Sequence, residues 1–299
     1  MTWQSFLLAL LGFGLLGPVV GCLLAGIDRK LTARLQNRVG PPLLQPYYDV
    51  RKLLAKDQVQ VNRYQGFYVA LALGFAIAAG VLFFAGGNFL LVAFIVTLSS
   101  LFFIVAAYST RSPYAELGAE REIVQVMSYE PMVLLACVAF FIGSGSFNTI
   151  QVLTLDKPLV ATLPLVFIGL VFILTIKLRK SPFDLSYSHH AHQELVKGIS
   201  TEMSGRTLAM VEIMHWYETV LFLGWVALFL AWGSWLGAVV AVVGVLLVYF
   251  LEVLIDNTYA RVKWQLMLKA SWIVTFVCVL LNLFAYEWLS RLVSSLVTG

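Results

Sequence analysis

The sequence predicts an all-α fold: a polytopic transmembrane helix bundle of about eight spans, with amphipathic helices in its cytoplasmic loops. Three observations lead there. The 299 residues are 60% hydrophobic and only 12% charged, against roughly 25% charged in an ordinary soluble domain, and the mean hydropathy is +0.87. The apolar stretches are hydrophobic all round rather than striped, which suits helices facing lipid. They also recur near the bilayer-spanning length of about 20 residues, whereas a β-barrel would show short alternating segments.

Taken in order, the spans are expected at 3–27, 67–85, 89–109, 131–147, 159–176, 207–231, 235–255 and 271–288, within a single integral membrane domain covering 1–299. The first has no charge before Asp28 and no basic leader. It exceeds a signal-peptide core in length and so reads as a retained span. No internal repeat, low-complexity tract or second soluble domain is discernible.

Eight spans place loops 28–66, 110–130, 177–206 and 256–270 on one side, and they carry 18 of the 20 Lys and Arg residues. The positive-inside rule makes that side cytoplasmic and leaves both termini on the outer side of the cytoplasmic (inner) membrane. The formal net charge of +4 follows from the same asymmetry. Anionic membrane lipids suffice as its partner, and no nucleic-acid partner is implied. Cys22, Cys137 and Cys278 each stand alone in an apolar run, where cysteine behaves as a small hydrophobe. With no CxxC, glycine-rich nucleotide loop or haem-attachment pattern, the chain should carry no cofactor of its own.

The longest polar interruption is 181–205, SPFDLSYSHHAHQELVKGISTEMSG, which holds three of the four histidines. His189, His190 and His192 with Glu194 have ligand-like spacing, but four ligands in a fixed tetrahedral geometry are not apparent and Tyr187, Gln193 and Lys197 rather than thiols flank them, so no metal site is expected. A polar docking surface with histidines that take part in proton movement is the preferred reading. Other ionisable groups fall near or inside spans. Glu212 and His215 are three residues apart and share a helix face, with Glu218 further round. Glu130 opens the fourth span and Glu252 lies late in the seventh. A charge at the bilayer centre costs about 2.5–3.5 kcal/mol on insertion scales, so these groups should be paired, neutralised or wetted. For Glu130 and Glu252 the alternative is reach to the headgroups from a helix end.

Four loop motifs carry a family resemblance. The first loop has Asp28-Arg29-Lys30, then Gln36, Arg38, Gly40 and Pro41; the second has Arg121, Gln125 and Ser128-Tyr129-Glu130. The third has Pro182-Phe183-Asp184-Leu185, Glu194-Leu195-Val196, Gly198, Thr201-Glu202 and Ser204-Gly205; the fourth reads ARVKWQLMLKASW. Together, in this order over nearly the whole chain, they resemble the H/1 subunit of respiratory complex I. The departures are as informative. Where that family has glutamates after Pro-Phe-Asp-Leu, this chain has a longer SYSHHAHQ, and Trp264 replaces an Asp before Gln-Leu-Met. The SHHAHQELVKG and EIMHWYE segments are similar to the corresponding subunit of Ech-type energy-converting NiFe hydrogenases, which pass electrons from reduced ferredoxin to protons.

The resemblance implies a non-catalytic membrane subunit of an oxidoreductase complex. Its partners would be NiFe hydrogenase large and small subunits, a ferredoxin-like iron–sulfur subunit and an antiporter-like membrane subunit. The NiFe centre and iron–sulfur clusters would lie in those partners. Spans two to six would form an antiporter-like half channel. Asp184, His190, His192, Glu194, Glu202, Glu212, His215, Glu218, Glu130 and Glu252 are the expected proton or coupling path. Arg29, Lys30, Arg34, Gln36, Arg38, Arg121, Pro182 and Phe183 would dock the cytoplasmic arm, though Arg121 between Glu120 and Glu122 also reads as a local solvated charge cluster. Two alternatives stay open: a quinone- or phenazine-site subunit of a complex I-type dehydrogenase, and a stand-alone ion transporter. A transporter would be expected to hold a midplane site in broken helices, whereas the charge here gathers at the cytoplasmic mouths.

Overall fold

A computed structural model describes residues 3–59, 61–186 and 197–285. Among them there is no β-strand, and the apolar runs form α1 (Trp3–Leu35), α2 (Gln45–Ala55), α3 (Gln65–Phe84), α4 (Phe89–Tyr108), α5 (Pro113–Ser144), α6 (Pro164–Lys177), α7 (Gly205–Leu230), α8 (Trp235–Thr258) and α9 (Trp264–Ala285). Seven are long and apolar enough to cross a membrane; α2 and α6 are not among them. The expected fifth span is interrupted. A single turn, Leu159–Thr162, stops at Leu163, and α6 restarts at Pro164. Proline has no N–H to continue the first helix and disfavours helical geometry in the residue before it. At about 1.5 Å per residue, the 14 residues of α6 span only about 21 Å. Its orphan amides are capped from elsewhere in the chain: Asn282 Oδ1 of α9 accepts from the N–H groups of Leu165 and Val166, at 2.8 and 3.2 Å.

Three helices overrun the expected spans, all on the charged-loop side. α1 continues through Asp28 to Leu35, α9 begins at Trp264, and α5 begins at Pro113 rather than 131. Pro131 does not start a helix but sits inside one of 32 residues. It deprives the Met127 carbonyl of its i+4 donor, and Trp272 Nε1 of α9 donates to that oxygen instead, at 3.2 Å.

The α3–α4 hairpin packs on α5 and α7, and its small buried residues Ala72, Ala76, Ala79 and Ala93 let the backbones approach. α8 is mostly uncovered along its length, and α2 lies amphipathically against α7. The short loops on one face are stitched together: Phe89 N–H donates to Phe147 O, Thr149 N–H to Gly87 O, and Gly233 N–H to Leu155 O, at 2.8–3.0 Å. On the charged face, Gln58 Nε2 reaches Thr207, Asn62 Nδ2 reaches the Ser109 carbonyl, and Ser204 Oγ bonds the Val59 carbonyl, each at 2.7 Å. At Gly118 of α5 a Cβ would stand 2.2 Å from the Ile199 backbone nitrogen. Only glycine therefore lets the segment after residue 196 seat on this helix.

Candidate functional site

The unusual residues of the interior lie where α5, α6 and α7 meet the charged face. Glu122, Gln125 and Tyr129 repeat at three and four residues along α5, so they share one side of it. All three are buried. Just past α6, the Arg179 guanidinium enters this layer. One nitrogen donates to Glu122 Oε1 at 2.9 Å and the other contacts His215 Nε2, while the group lies 5.4 Å from the Phe103 ring. Ser186 Oγ donates to the second Glu122 oxygen. Burial opposes the Arg179 charge, but Glu122 and Glu218 outweigh it and raise the guanidinium above its ordinary value. Arginine has only donors, so His215 Nε2 must be the acceptor and its proton must sit on Nδ1.

A second ionic knot ties the end of α6 to both flanking helices. Lys180 pairs with Asp28 of α1, and with Asp256 of α8 at 3.3 Å, while Asp256 also accepts from the Ser181 N–H at 2.8 Å. Burial acts to lower the lysine's pKa, but the two carboxylates override it and the net shift is upward. Next to it, Asp184 of the Pro-Phe-Asp-Leu motif forms a fork with Arg261, at 2.6 and 2.8 Å. Burial raises the Asp184 carboxyl above its ordinary range despite that arginine. Phe183 is buried edge-on to Phe172, and its carbonyl accepts from Gln125.

Both knots open on one cavity of about 470 Å³ walled by α1, α7, α8 and the segment after α6. Of the residues singled out in the sequence, Arg29, Gln36, Arg38, Asp184, Glu212, His215 and Glu218 line it. Glu218 is buried and faces Arg179, Lys177 and Glu122 electrostatically. The others lie apart. Glu202 accepts from Ser112 Oγ at 2.7 Å and Glu130 from Thr97 Oγ1 at 3.2 Å. Glu252 is fully buried on α8 beside Thr175. Lys30 and Arg34 are exposed on the last turns of α1, while Arg121 and Pro182 are half-buried. His190, His192 and Glu194, with His189, lie outside the described residues. Among the described residues no three His, Cys, Asp or Glu side chains are grouped to hold a metal ion.

Arg29 acts at the rim, where it pairs with Asp49 of α2 at 2.6 Å while Gln45 donates to the other carboxylate oxygen at 2.8 Å. Burial acts upward on Asp49, but these two bonds prevail and lower its pKa. Its stabilising effect is therefore present above the ordinary aspartate value of about 3.9 and is lost as pH falls through the lower folded value. Amide exchange in α2 is expected to accelerate, relative to α7, as pH drops below about 4. Asp49→Asn should abolish that step, and identical pH profiles for the two proteins would refute the pairing's role.

Glu122, Lys177, Arg179, Lys180, Asp256 and Arg261 were not singled out by the sequence. The Glu122–Gln125–Tyr129 spacing marks the first only on a helix that begins at Pro113. Lys177 at the end of α6, and Arg179 and Lys180 just past it, read in the sequence only as part of the positive-inside asymmetry.

A family model described as NADH dehydrogenase matches residues 8–287. Hydrogenase-4 component C of Escherichia coli (strain K12) is 30% identical over 279 residues, covering 84% of this chain and 87% of that protein. Formate hydrogenlyase subunit 4 of the same strain is 29% identical over 85% of this chain and 90% of that protein. An NADH-quinone oxidoreductase subunit of Thermomicrobium roseum is 30% identical over 95% of this chain and 96% of that protein. Among solved structures, a chain of the membrane-bound sulfane sulfur reductase, an archaeal respiratory membrane complex, matches with a TM-score of 0.83. It is 25% identical and covers 93% of this chain and 99% of that one.

Proposed function

The chain belongs to the NADH dehydrogenase family, and on that premise we propose that it is the membrane subunit of a complex I-like module. In the finer reading it anchors a ferredoxin-linked, proton-reducing NiFe hydrogenase and couples that reaction to H⁺ or Na⁺ translocation. The observation that carries the reading is the buried layer of opposed charges opening on the cavity at the charged face. Structural stability alone does not require such a layer, because buried ion pairs are often replaceable by apolar packing without loss. Two of the relatives are a hydrogenase component and a formate hydrogenlyase subunit, which favours the hydrogenase assignment.

The proposed chemistry is a charge relay without a redox step in this chain. Arg179 holds both Glu122 and the Nε2 lone pair of His215. A proton arriving at Nε2 would turn that acceptor into a donor and release the guanidinium toward Glu122 and Glu218. Charge entering at the loop face is thereby converted into a rearrangement at the membrane end of the cluster. Asp184, Glu202, Glu212, Glu130 and Glu252 are the further members of the proposed path. The loops around Arg29, Lys30, Arg34, Gln36, Arg38 and Arg121 dock the redox arm from the cytoplasm. Pro182 and Phe183 act from behind, by seating Asp184 under that surface.

The cavity also favours a second reading, as a quinone or phenazine chamber, because about 470 Å³ lies within the range of small-molecule pockets. Such pockets carry only a few polar groups, whereas this one sets the charges of Asp28, Arg179, Lys180 and Asp256 beside the apolar walls of Trp216 and Phe222. A single preparation separates the two. The complex captured through a tag on this chain is expected to evolve H2 from reduced ferredoxin. Its inverted vesicles should take up ions during turnover, and Glu212→Gln should abolish the uptake while dye-linked hydrogenase activity persists. NADH- or hydride-donor-dependent quinone reduction without H2 chemistry would overturn the hydrogenase assignment.

A further inference from the structure

Lys177 ends α6 with its ammonium inside the protein, and among the described residues no carboxylate lies within ion-pair distance of it. The neighbouring cations differ sharply: Arg179 is held on Glu122, and Lys180 on Asp28 and Asp256. Lys177 Nζ instead lies 3.6 Å from the centre of the Tyr129 ring and 4.9 Å from that of Phe222. Ring faces attract a cation through their quadrupole and offer nothing comparable to a neutral amine. The hold on this side chain therefore depends on its protonation state.

The groups around it lie at two depths. Glu218 on α7, Arg179, and Glu122 and Glu130 on α5 all act on it electrostatically. Glu122 and Glu130 are eight residues apart, or about 12 Å along the helix. Lys177 also belongs to both cavities, the large one at the charged face and a small one shared with Ser100, Glu122, Gln125, Tyr129 and Glu218. The small cavity is about 10 Å³, near the size of one water. Its wall residue Gln125 has a buried Oε1 with no partner among the described residues, and Tyr129 Oη lies 3.3 Å from Ser100 Oγ.

We propose that Lys177 is a proton-carrying residue that links the charged-face cluster of Glu122, Arg179 and Glu218 to Glu130. The proposal rests on the coupling role inferred above and names the group that bridges its two depths. Because neither carboxylate is in direct reach, each transfer passes through an intervening water. The ammonium gives a proton to that water as the water gives one to a Glu130 carboxylate oxygen, and the electron pair of the broken N–H bond stays on nitrogen. The neutral amine, no longer held by the rings, takes a proton from a water that is itself reprotonated by the Glu218 carboxyl, and returns to them. No electron changes hands.

The test uses the complete complex in inverted membrane vesicles carrying Lys177→Arg, Lys177→Met or Lys177→His. Redox turnover and redox-driven proton uptake are both recorded across pH. Arginine keeps the charge but does not give up a proton near neutrality, so Arg and Met should both lose uptake while dye-linked redox turnover persists. Histidine can carry a proton, with an ordinary pKa of about 6.5 against about 10.4 for lysine. It should retain uptake with an optimum moved to acid pH. Wild-type uptake in Lys177→Arg would reduce Lys177 to a fixed cation and overturn the proposal, and wild-type uptake in Lys177→Met would make it a spectator. Should Arg and Met prevent assembly, histidine decides alone, and an unshifted profile overturns the proposal. A wild-type complex that turns over without moving either H⁺ or Na⁺ defeats the coupling role itself, whereas one that moves Na⁺ alone overturns only the proton-carrying role of Lys177.

Discussion

Arg179→Met is expected to destabilise the complex by about 3–5 kcal/mol, the effect of removing one partner from a buried ion pair. Glu122 would keep the Ser186 hydrogen bond but lose its facing cation in a layer where its side chain is only 4% exposed. His215 would lose the donor that fixes its tautomer, and the Phe103 ring its cation. Thermal unfolding of the detergent-solubilised complex reads the loss. The decisive comparison is the double variant Arg179→Met, Glu122→Gln. With both charges gone, Glu122 no longer leaves a buried anion unpaired and Glu218 still faces Lys177, so stability should recover well beyond the sum of the single effects. If Arg179→Met does not assemble, restored assembly in the double variant is the same result. Additive losses would show that the pair is not coupled. Near-complete recovery of stability without recovery of ion uptake would mean that the pair is kept for function.

The sequence carried the fold further than it carried the site, for a physical reason. Lipid imposes a length and an apolar composition on each span, and both can be read without knowing which helices touch. The overruns at Leu35, Pro113 and Trp264 escape such a reading because hydropathy falls to neutral there while the backbone stays helical. Pro131 adds to this. It has the look of a helix start, yet a tryptophan from α9 supplies the hydrogen bond missing from its turn. The broken fifth span is equally hidden, since Pro164 lies in an unbroken apolar run.

The site was legible where both charges of a pattern lie on one element. Glu212, His215 and Glu218 follow from the phase of α7, and all three reach the cavity. It was illegible where a charge is answered from far along the chain. Asp184 is paired 77 residues away with Arg261, Arg179 with Glu122 57 residues back, and Lys180 with Asp28 152 residues back. Such pairings arise from packing and leave no spacing to read. The Pro-Phe-Asp-Leu motif gains its meaning from them. Its phenylalanine and aspartate face inward and lock the segment to α5, α6 and the loop before α9.

Lys180→Met should have the second large effect, because Lys180 joins three elements. It removes the shared cation of Asp28 and Asp256, and Asp28 already has a buried Oδ1 without a partner among the described residues. By the same reasoning as for Arg179, a loss of about 3–5 kcal/mol is expected near neutral pH. Lys180→Met, Asp256→Asn should regain part of it by removing one of the two apposed anions. The pH dependence gives an independent reading. The folded-state pKa of Lys180 is raised, so its stabilising effect is complete below the ordinary lysine value of about 10.4. That effect is lost as pH rises through the higher folded value. The wild-type complex should therefore show an alkaline decline in stability that Lys180→Met lacks, measured as thermal midpoints between neutral pH and pH about 11. Parallel curves for the two proteins would sink the assignment. Because Ser181 and Pro182 hang from the same junction, through Asp256 and the Val262 N–H, the variant should also loosen Asp184 from Arg261. Proton uptake per redox turnover should then fall even where the complex still assembles, which ties the coupling reaction to the junction that positions the loop.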